Sequence, residues 1–216
     1  MSHYIHTEAD LDAAIKRLVR ADPRLRAILA TAGRPPLRRR ADGFAGIASI
    51  VVAQQLSTAS AHAIWGRLTT ALDPLDGAAV LRARPARLRR IGLSDAKIRT
   101  LKAIARAVRN GDLDLRALVD LPADEAHGHL TAIHGIGAWT ADIYLLFCLG
   151  HADAWPAGDL ALAEAVRLAF ALKSRPTAKE MGPIAEPWRP WRGVAACLLW
   201  TYYRVTKGRD AVPIKP

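Results

Sequence analysis

Cysteine is almost absent: Cys148 and Cys197 are the two in 216 residues, each inside an apolar run and far from the other. That scarcity leaves no disulfide framework and no clustered zinc or iron–sulfur spacing. Both thiols read as reduced, buried small hydrophobes, as in a cytosolic protein. No stretch approaches about 18 uninterrupted apolar residues, and the start, MSHYIHTEADLD, is polar and acidic with no apolar core of a signal peptide. Secretion and membrane insertion are not expected, and the chain reads as cytoplasmic. No run alternates apolar and polar residues between turn signals as a β-sheet requires, and no repeat of about 20 to 50 residues recurs.

What is present is charge and helical periodicity. The formal net charge is +11 and the pI about 10.3, which favours partners with dense negative charge. Arginine outnumbers lysine and alanine is abundant, as a composition bias would also produce, and the basic residues scatter over the whole chain. Charge therefore supports nucleic-acid binding without establishing it.

Residues 8–20 place Leu11, Ala14, Ile15, Leu18 and Val19 on one helical face, and a second short helix, 23–32, stops at Gly33. GRPPLRRRADG breaks the periodicity; Arg38, Arg39 and Arg40 read as a solvated run, with DNA backbone as the sharper alternative. From Phe44 to Leu72, Ile47 to Ala53 is apolar all round, as in a buried helix. Gln54 and Gln55 then interrupt it, and Ser57 reads as the cap of a helix turning Ala61, Ile64, Trp65 and Leu68 inward. Gly92 closes another helix and Ser94 caps the next, whose stripe is Ile98, Leu101, Ile104, Ala105 and Val108 up to Gly111. Lys97, in its first turn, reads as a surface lysine, or less simply as a phosphate contact. Further helices cover 160–172 and the stretch from Arg192. The fold class is all-α, with about ten helices.

The chain is organised around LTAIHGIGAWTADIYLL, Leu130 to Leu146. Two glycines flank one isoleucine between helical segments, which reads as helix, tight hairpin, helix. Gly135 and Gly137 are free to take φ > 0 and to let backbone lie flush against a ligand. The helix from about Ala138 begins with N–H groups that lack intrahelical partners, and with the dipole these make an anion site. In a basic protein the fitting anion is a nucleic-acid phosphate. About twenty residues later, in WPAGDLALAEAVR, Asp159 opens another helix; by spacing alone it is an ordinary N-cap aspartate.

The hairpin, this aspartate and PWRPWRGVAACLLW together resemble the helix-hairpin-helix DNA glycosylases, most closely the 3-methyladenine DNA glycosylase II family. The resemblance runs from about Phe44 to Tyr203. GIG alone is shared with non-enzymatic DNA binders; GIGAWTA, the lone Asp and WRPWRGVAACLLW in that order are far more specific.

The resemblance implies a base-excision repair hydrolase on double-stranded DNA with alkylated bases: a monomer, nucleoid-associated, without a membrane partner and without a required cofactor. It implies two helical lobes, 42–137 bearing the hairpin and 1–41 with 138–216, and an active-site cleft between them. It places Gln54, Gln55, Gly135, Gly137 and Thr140 at the DNA, with Gln55 as the residue inserted where a base is flipped out. Backbone carbonyls of Thr131, Ile133 and Ile136 correspond to those that hold a Na⁺ or K⁺ ion in the family. Asp159 matches the catalytic carboxylate, which stabilises positive charge on the sugar or orients water. Asp142 and Asp153 are rivals by residue type alone, and Glu164 reads as support for its own helix.

Trp139 and Trp200 match pocket aromatics, whose faces attract cationic bases such as 3-methyladenine and 7-methylguanine; core packing at i, i+4 is the plainer reading of both. Trp139 also stands where lyase relatives carry a Schiff-base lysine, which implies a glycosylase without lyase activity. A non-catalytic hairpin module that binds DNA, and a glycosylase for other bases such as deaminated purines, are the competing readings.

Overall fold

A computed structural model describes residues 3–208. In chain order the helices are α1 (Glu8–Ala21), α2 (Arg24–Ala32), α3 (Gly43–Ala53), α4 (Thr58–Ala71), α5 (Gly77–Arg82), α6 (Pro85–Ile91), α7 (Asp95–Asn110), α8 (Ala123–Thr131), α9 (Ala138–Ile143), α10 (Leu160–Ala169), α11 (Ala178–Ala185) and α12 (Arg192–Lys207). Short 3-10 turns cover Ala117–Asp120 and Glu186–Trp188, and α9 runs on as a π-helical turn, Tyr144–Leu149. Among the described residues the only β pairing is an isolated bridge, Tyr4 with His151. The all-α expectation holds, with more and shorter helices than the ten counted from periodicity.

The described residues divide into two compact units: Arg40–Leu149, and 3–39 together with 150–208. The family resemblance places the boundary at residue 137. Residues 138–149 instead group with the hairpin, because α9 and its π turn pack on α3 and α8. Residues 209–216, assigned to the second lobe, lie outside the described ones.

In the Arg40–Leu149 unit, α3 is the core element. Ile47, Ala48, Ile50, Val51 and Val52 are all at or below 1% exposure, which is why it is apolar on every side. Ser57 caps α4 through Ser60 N–H (3.2 Å) and Ser94 caps α7 through Lys97 N–H (3.3 Å). Gly92 and Gly111 close α6 and α7 in the left-handed conformation. The α7 stripe is buried from Ile98 to Ala107, but Val108 is 37% exposed, at the end of the helix where the core stops. Ile64 and Trp65 are half-buried, whereas Ala61 and Leu68 are buried as expected.

In the other unit a capping box starts α1: Asp10 N–H donates to Thr7 Oγ1 (3.1 Å) and Thr7 N–H to Asp10 Oδ2 (2.9 Å). Its buried stripe, Leu11, Ala14, Ile15 and Leu18, packs with α2 and α12. Trp188 is completely buried, edge-on to Trp155 and stacked near Phe170, and its Nε1 donates to Asp22 Oδ2 at 2.9 Å. A charge-assisted bond of this kind gives a buried indole N–H its partner. The Arg24 guanidinium on the same carboxylate, with Trp188, holds Asp22 down at about 2 against the opposing effect of burial.

Arg38, Arg39 and Arg40 are half-buried rather than a solvated run. Arg40 N–H donates to the Phe147 carbonyl (2.9 Å) and its guanidinium to Ser49 Oγ (3.2 Å). The Arg39 guanidinium lies over Gly150, where a Cβ would come within 2.4 Å of it. Long side chains with apolar stems are absorbed into the fold in this way, which a charge count cannot see.

Candidate functional site

The hairpin lies between α8 and α9, as the two glycines predicted, but they do different work. Gly135 has φ +86, and a Cβ there would stand 2.0 Å from Thr100 Oγ1, so backbone conformation and packing both require glycine. Gly137 has φ −89 and ψ 169, ordinary extended backbone at the N-cap of α9, so the expectation of a left-handed glycine is corrected there. Nothing lies within 4 Å of its Cβ position, and it is exposed. That bare, outward backbone is what close approach by a phosphate requires.

Thr131, Ile133 and Ile136 bracket this turn. Ile136 N–H donates to the Ile133 carbonyl at 3.0 Å, closing the turn, and a carbonyl can accept a second partner. Neutral backbone oxygens are a suitable donor set for a hard monovalent cation, so the residues present fit that group.

Gln54 and Gln55, adjacent in sequence, face different surroundings. Gln54 is half-buried and its Nε2 donates to Thr140 Oγ1 at 2.7 Å. Thr140, expected at the DNA, is only 3% exposed and turned inward onto Gln54; its position in the first turn of α9 faces the core, which residue type alone does not reveal. Gln55 is exposed and has φ +55, an uncommon conformation for a residue other than glycine. Such strain, about 1–3 kcal/mol, persists only where the surroundings impose it.

Asp159 N-caps α10. Its Oδ1 accepts from Leu162 N–H at 2.8 Å and from Trp200 Nε1 at 3.1 Å, and the residue is 7% exposed. The chain turns into this cap through Pro156 and Gly158, with Asp159 N–H donating to the Pro156 carbonyl at 2.9 Å. Two donors on one oxygen, one of them an indole in α12, fix the carboxylate beyond what a cap needs. Trp200, expected to offer a face, is 5% exposed and presents its N–H edge to Asp159. The sequence signal for this pairing was weak, since 41 residues separate the two. Trp139 is half-buried in the first turn of α9.

The rival carboxylates are otherwise engaged. Asp153 is clamped by Arg192, through Nε at 2.9 Å and Nη2 at 2.8 Å, and by Arg189 Nη1 at 2.8 Å. Glu164 gathers Arg167 at 2.9 Å, Arg175 at 3.5 Å and Lys207 at 3.5 Å; chiefly the Arg167 bond holds its carboxyl down at about 2. Asp142 is 7% exposed, with His127 Nε2 at 3.8 Å from its Oδ1.

Lys97 is not the surface lysine that its place in the first turn of α7 suggests. It is half-buried, and its ammonium donates to the Val52 carbonyl at 2.7 Å, in the last turn of α3. Burial lowers its pKa from the usual lysine value.

An all-helical chain with a glycine hairpin opening one helix and a doubly held aspartate capping another defines a helix-hairpin-helix protein with a built carboxylate site. The family model described as HhH-GPD superfamily base excision DNA repair protein matches residues 48–190, and the chain belongs to that family. A probable bifunctional transcriptional activator/DNA repair enzyme AlkA of Mycobacterium tuberculosis is 34% identical over 206 residues, covering 89% of this chain and 40% of that one. The chain thus spans about two fifths of the length of that relative.

Among solved structures, a DNA-3-methyladenine glycosidase from Bacillus halodurans superposes with a TM-score of 0.82 at 28% identity, over 97% of this chain and 96% of that one. A 3-methyladenine DNA glycosylase from Schizosaccharomyces pombe, in complex with abasic DNA, gives 0.77 at 26% identity over 93% and 99%. No helix among the described residues is long and apolar enough to cross a membrane.

Proposed function

We propose that this protein is a monofunctional DNA glycosylase that hydrolyses the N-glycosidic bond of alkylated purines in duplex DNA. The observation that carries the reading is Asp159: a buried carboxylate held on Oδ1 by a helix N–H and an indole N–H, in a chain of a base excision repair family. As the bond to the base breaks, positive charge builds on the sugar, and a fixed carboxylate in a water-poor site stabilises it or orients the attacking water.

The exposed amides at Gly135 and Gly137 grip a phosphate without reading sequence, and a cation on the Thr131, Ile133 and Ile136 carbonyls would add positive charge there. Exposed Gln55 fills the space that a flipped nucleotide leaves, which offsets part of the few kcal/mol lost in unstacking. The Trp139 face suits purines that methylation has made cationic, a contact of about 1–2 kcal/mol when desolvated. Trp200 acts through Asp159. With Trp139 where lyase relatives carry lysine, water rather than an amine takes the sugar carbon, and an abasic site is left. The protein works as a monomer on chromosomal DNA in the cytoplasm.

The test is product analysis on duplexes carrying 3-methyladenine or 7-methylguanine. Free base and alkali-sensitive abasic sites are expected, with no protein–DNA cross-link on borohydride treatment. Absence of base release removes the glycosylase reading, and a borohydride cross-link removes the monofunctional one.

A further inference from the structure

Two side chains of α7 reach the end of α3 and the hairpin. Lys97 and Thr100, three residues apart, lie on one face of that helix. Lys97 Nζ reaches the Val52 carbonyl at 2.7 Å, where the last carbonyls of α3 lack helical partners and the negative end of the dipole favours a cation. Two residues further on, Gln54 is anchored to Thr140 at 2.7 Å, and Gln55 follows at φ +55. Thr100, one turn along α7, fills the space over Gly135, so closely that a Cβ there would stand 2.0 Å from its Oγ1. One helix face therefore touches both the end of α3, from which Gln55 projects, and the hairpin.

We propose that Lys97 is a positioning residue for base extrusion: its ammonium fixes the end of α3 so that Gln55 stands in its strained, exposed conformation, in register with the hairpin that Thr100 seats. The proposal rests on the glycosylase reading above. It sets Lys97 apart from a phosphate ligand, because the ammonium is directed at a backbone carbonyl, and from a simple helix cap, because the turn it holds carries strain that a relaxed helix end does not need.

The experiment compares the full chain with Lys97→Met, which keeps the apolar stem and removes the donors. Each excises one methylated purine from two duplexes, with the lesion opposite a pyrimidine or opposite an abasic analogue that leaves the base already unpaired. Single-turnover excision from the paired duplex is expected to fall about tenfold or more, the worth of one charged hydrogen bond. The deficit is expected to disappear on the unpaired duplex, with the salt dependence of binding to undamaged DNA unchanged.

Equal loss on both duplexes, or no loss on either, overturns the proposal and leaves the glycosylase reading intact. A salt slope reduced by about one phosphate also overturns it, since that marks Lys97 as a DNA contact. A wild-type chain inert on both duplexes overturns the glycosylase reading and the proposal with it. Should Lys97→Met not fold, Lys97→Gln carries the same comparison.

Discussion

Replacing Trp200 by phenylalanine removes the indole N–H and some ring volume while keeping an aromatic side chain in a site that is 5% exposed. The bond lost is Nε1 to Asp159 Oδ1 at 3.1 Å, between two buried residues. Hydrogen bonds to charged groups are worth about 1.5–3 kcal/mol, and each 1.36 kcal/mol of barrier is about tenfold in rate. If the transition state draws fully on the oriented carboxylate, excision at saturating protein falls roughly 10- to 150-fold. The Leu162 N–H bond at 2.8 Å remains, so α10 keeps its cap and the variant stays folded. The assay is single-turnover release of 7-methylguanine from duplex, beside anisotropy titration of the same duplex and a thermal melt. The expected pattern is a slower chemical step with unchanged affinity. Full-speed excision, or a loss traceable to weaker DNA binding, refutes the reasoning.

Two further perturbations follow from other parts of the molecule. Gln55→Gly relieves the φ +55 strain, so thermal stability is expected to hold or rise by about 1 kcal/mol while excision from paired DNA falls; a parallel loss of both in melting and excision assays contradicts a strained wedge. Asp22→Asn keeps an acceptor for Trp188 but removes the charge facing Arg24. Because the folded carboxyl titrates at about 2, below an unfolded value of about 3.9, wild type is expected to be more stable than the variant above pH about 4. That advantage, on the order of 1–2 kcal/mol with Arg24 largely solvated, is lost as pH falls from about 4 to 2, and denaturant melts at several pH values check it.

Much of this was legible in the sequence because the signals are local. Ser57, Ser94, Gly92 and Gly111 mark helix ends through short-range hydrogen bonds and backbone freedom, and the structure keeps all four. The hairpin was legible for the same reason, although φ > 0 fell to Gly135 alone. Contacts between residues distant in sequence were not. Nothing in residue type shows that Thr140 turns inward to Gln54 across 86 positions, that Lys97 reaches Val52 across 45, or that Trp200 presents its edge to Asp159. Charge was the poorest guide: the arginine run 38–40 is half-buried, and Asp153 and Glu164 are tied to cations within the fold.

The central claim is that Asp159 performs the reaction rather than merely capping α10, and Asn separates the two roles, since it caps a helix about as well as Asp while carrying no charge. Single-turnover excision of 7-methylguanine by wild type and by Asp159→Asn, at matched DNA occupancy and with melting curves in parallel, measures the difference. Base release by wild type and its near-complete loss in the variant, at little change in stability, are expected. Undiminished release by Asp159→Asn contradicts the claim.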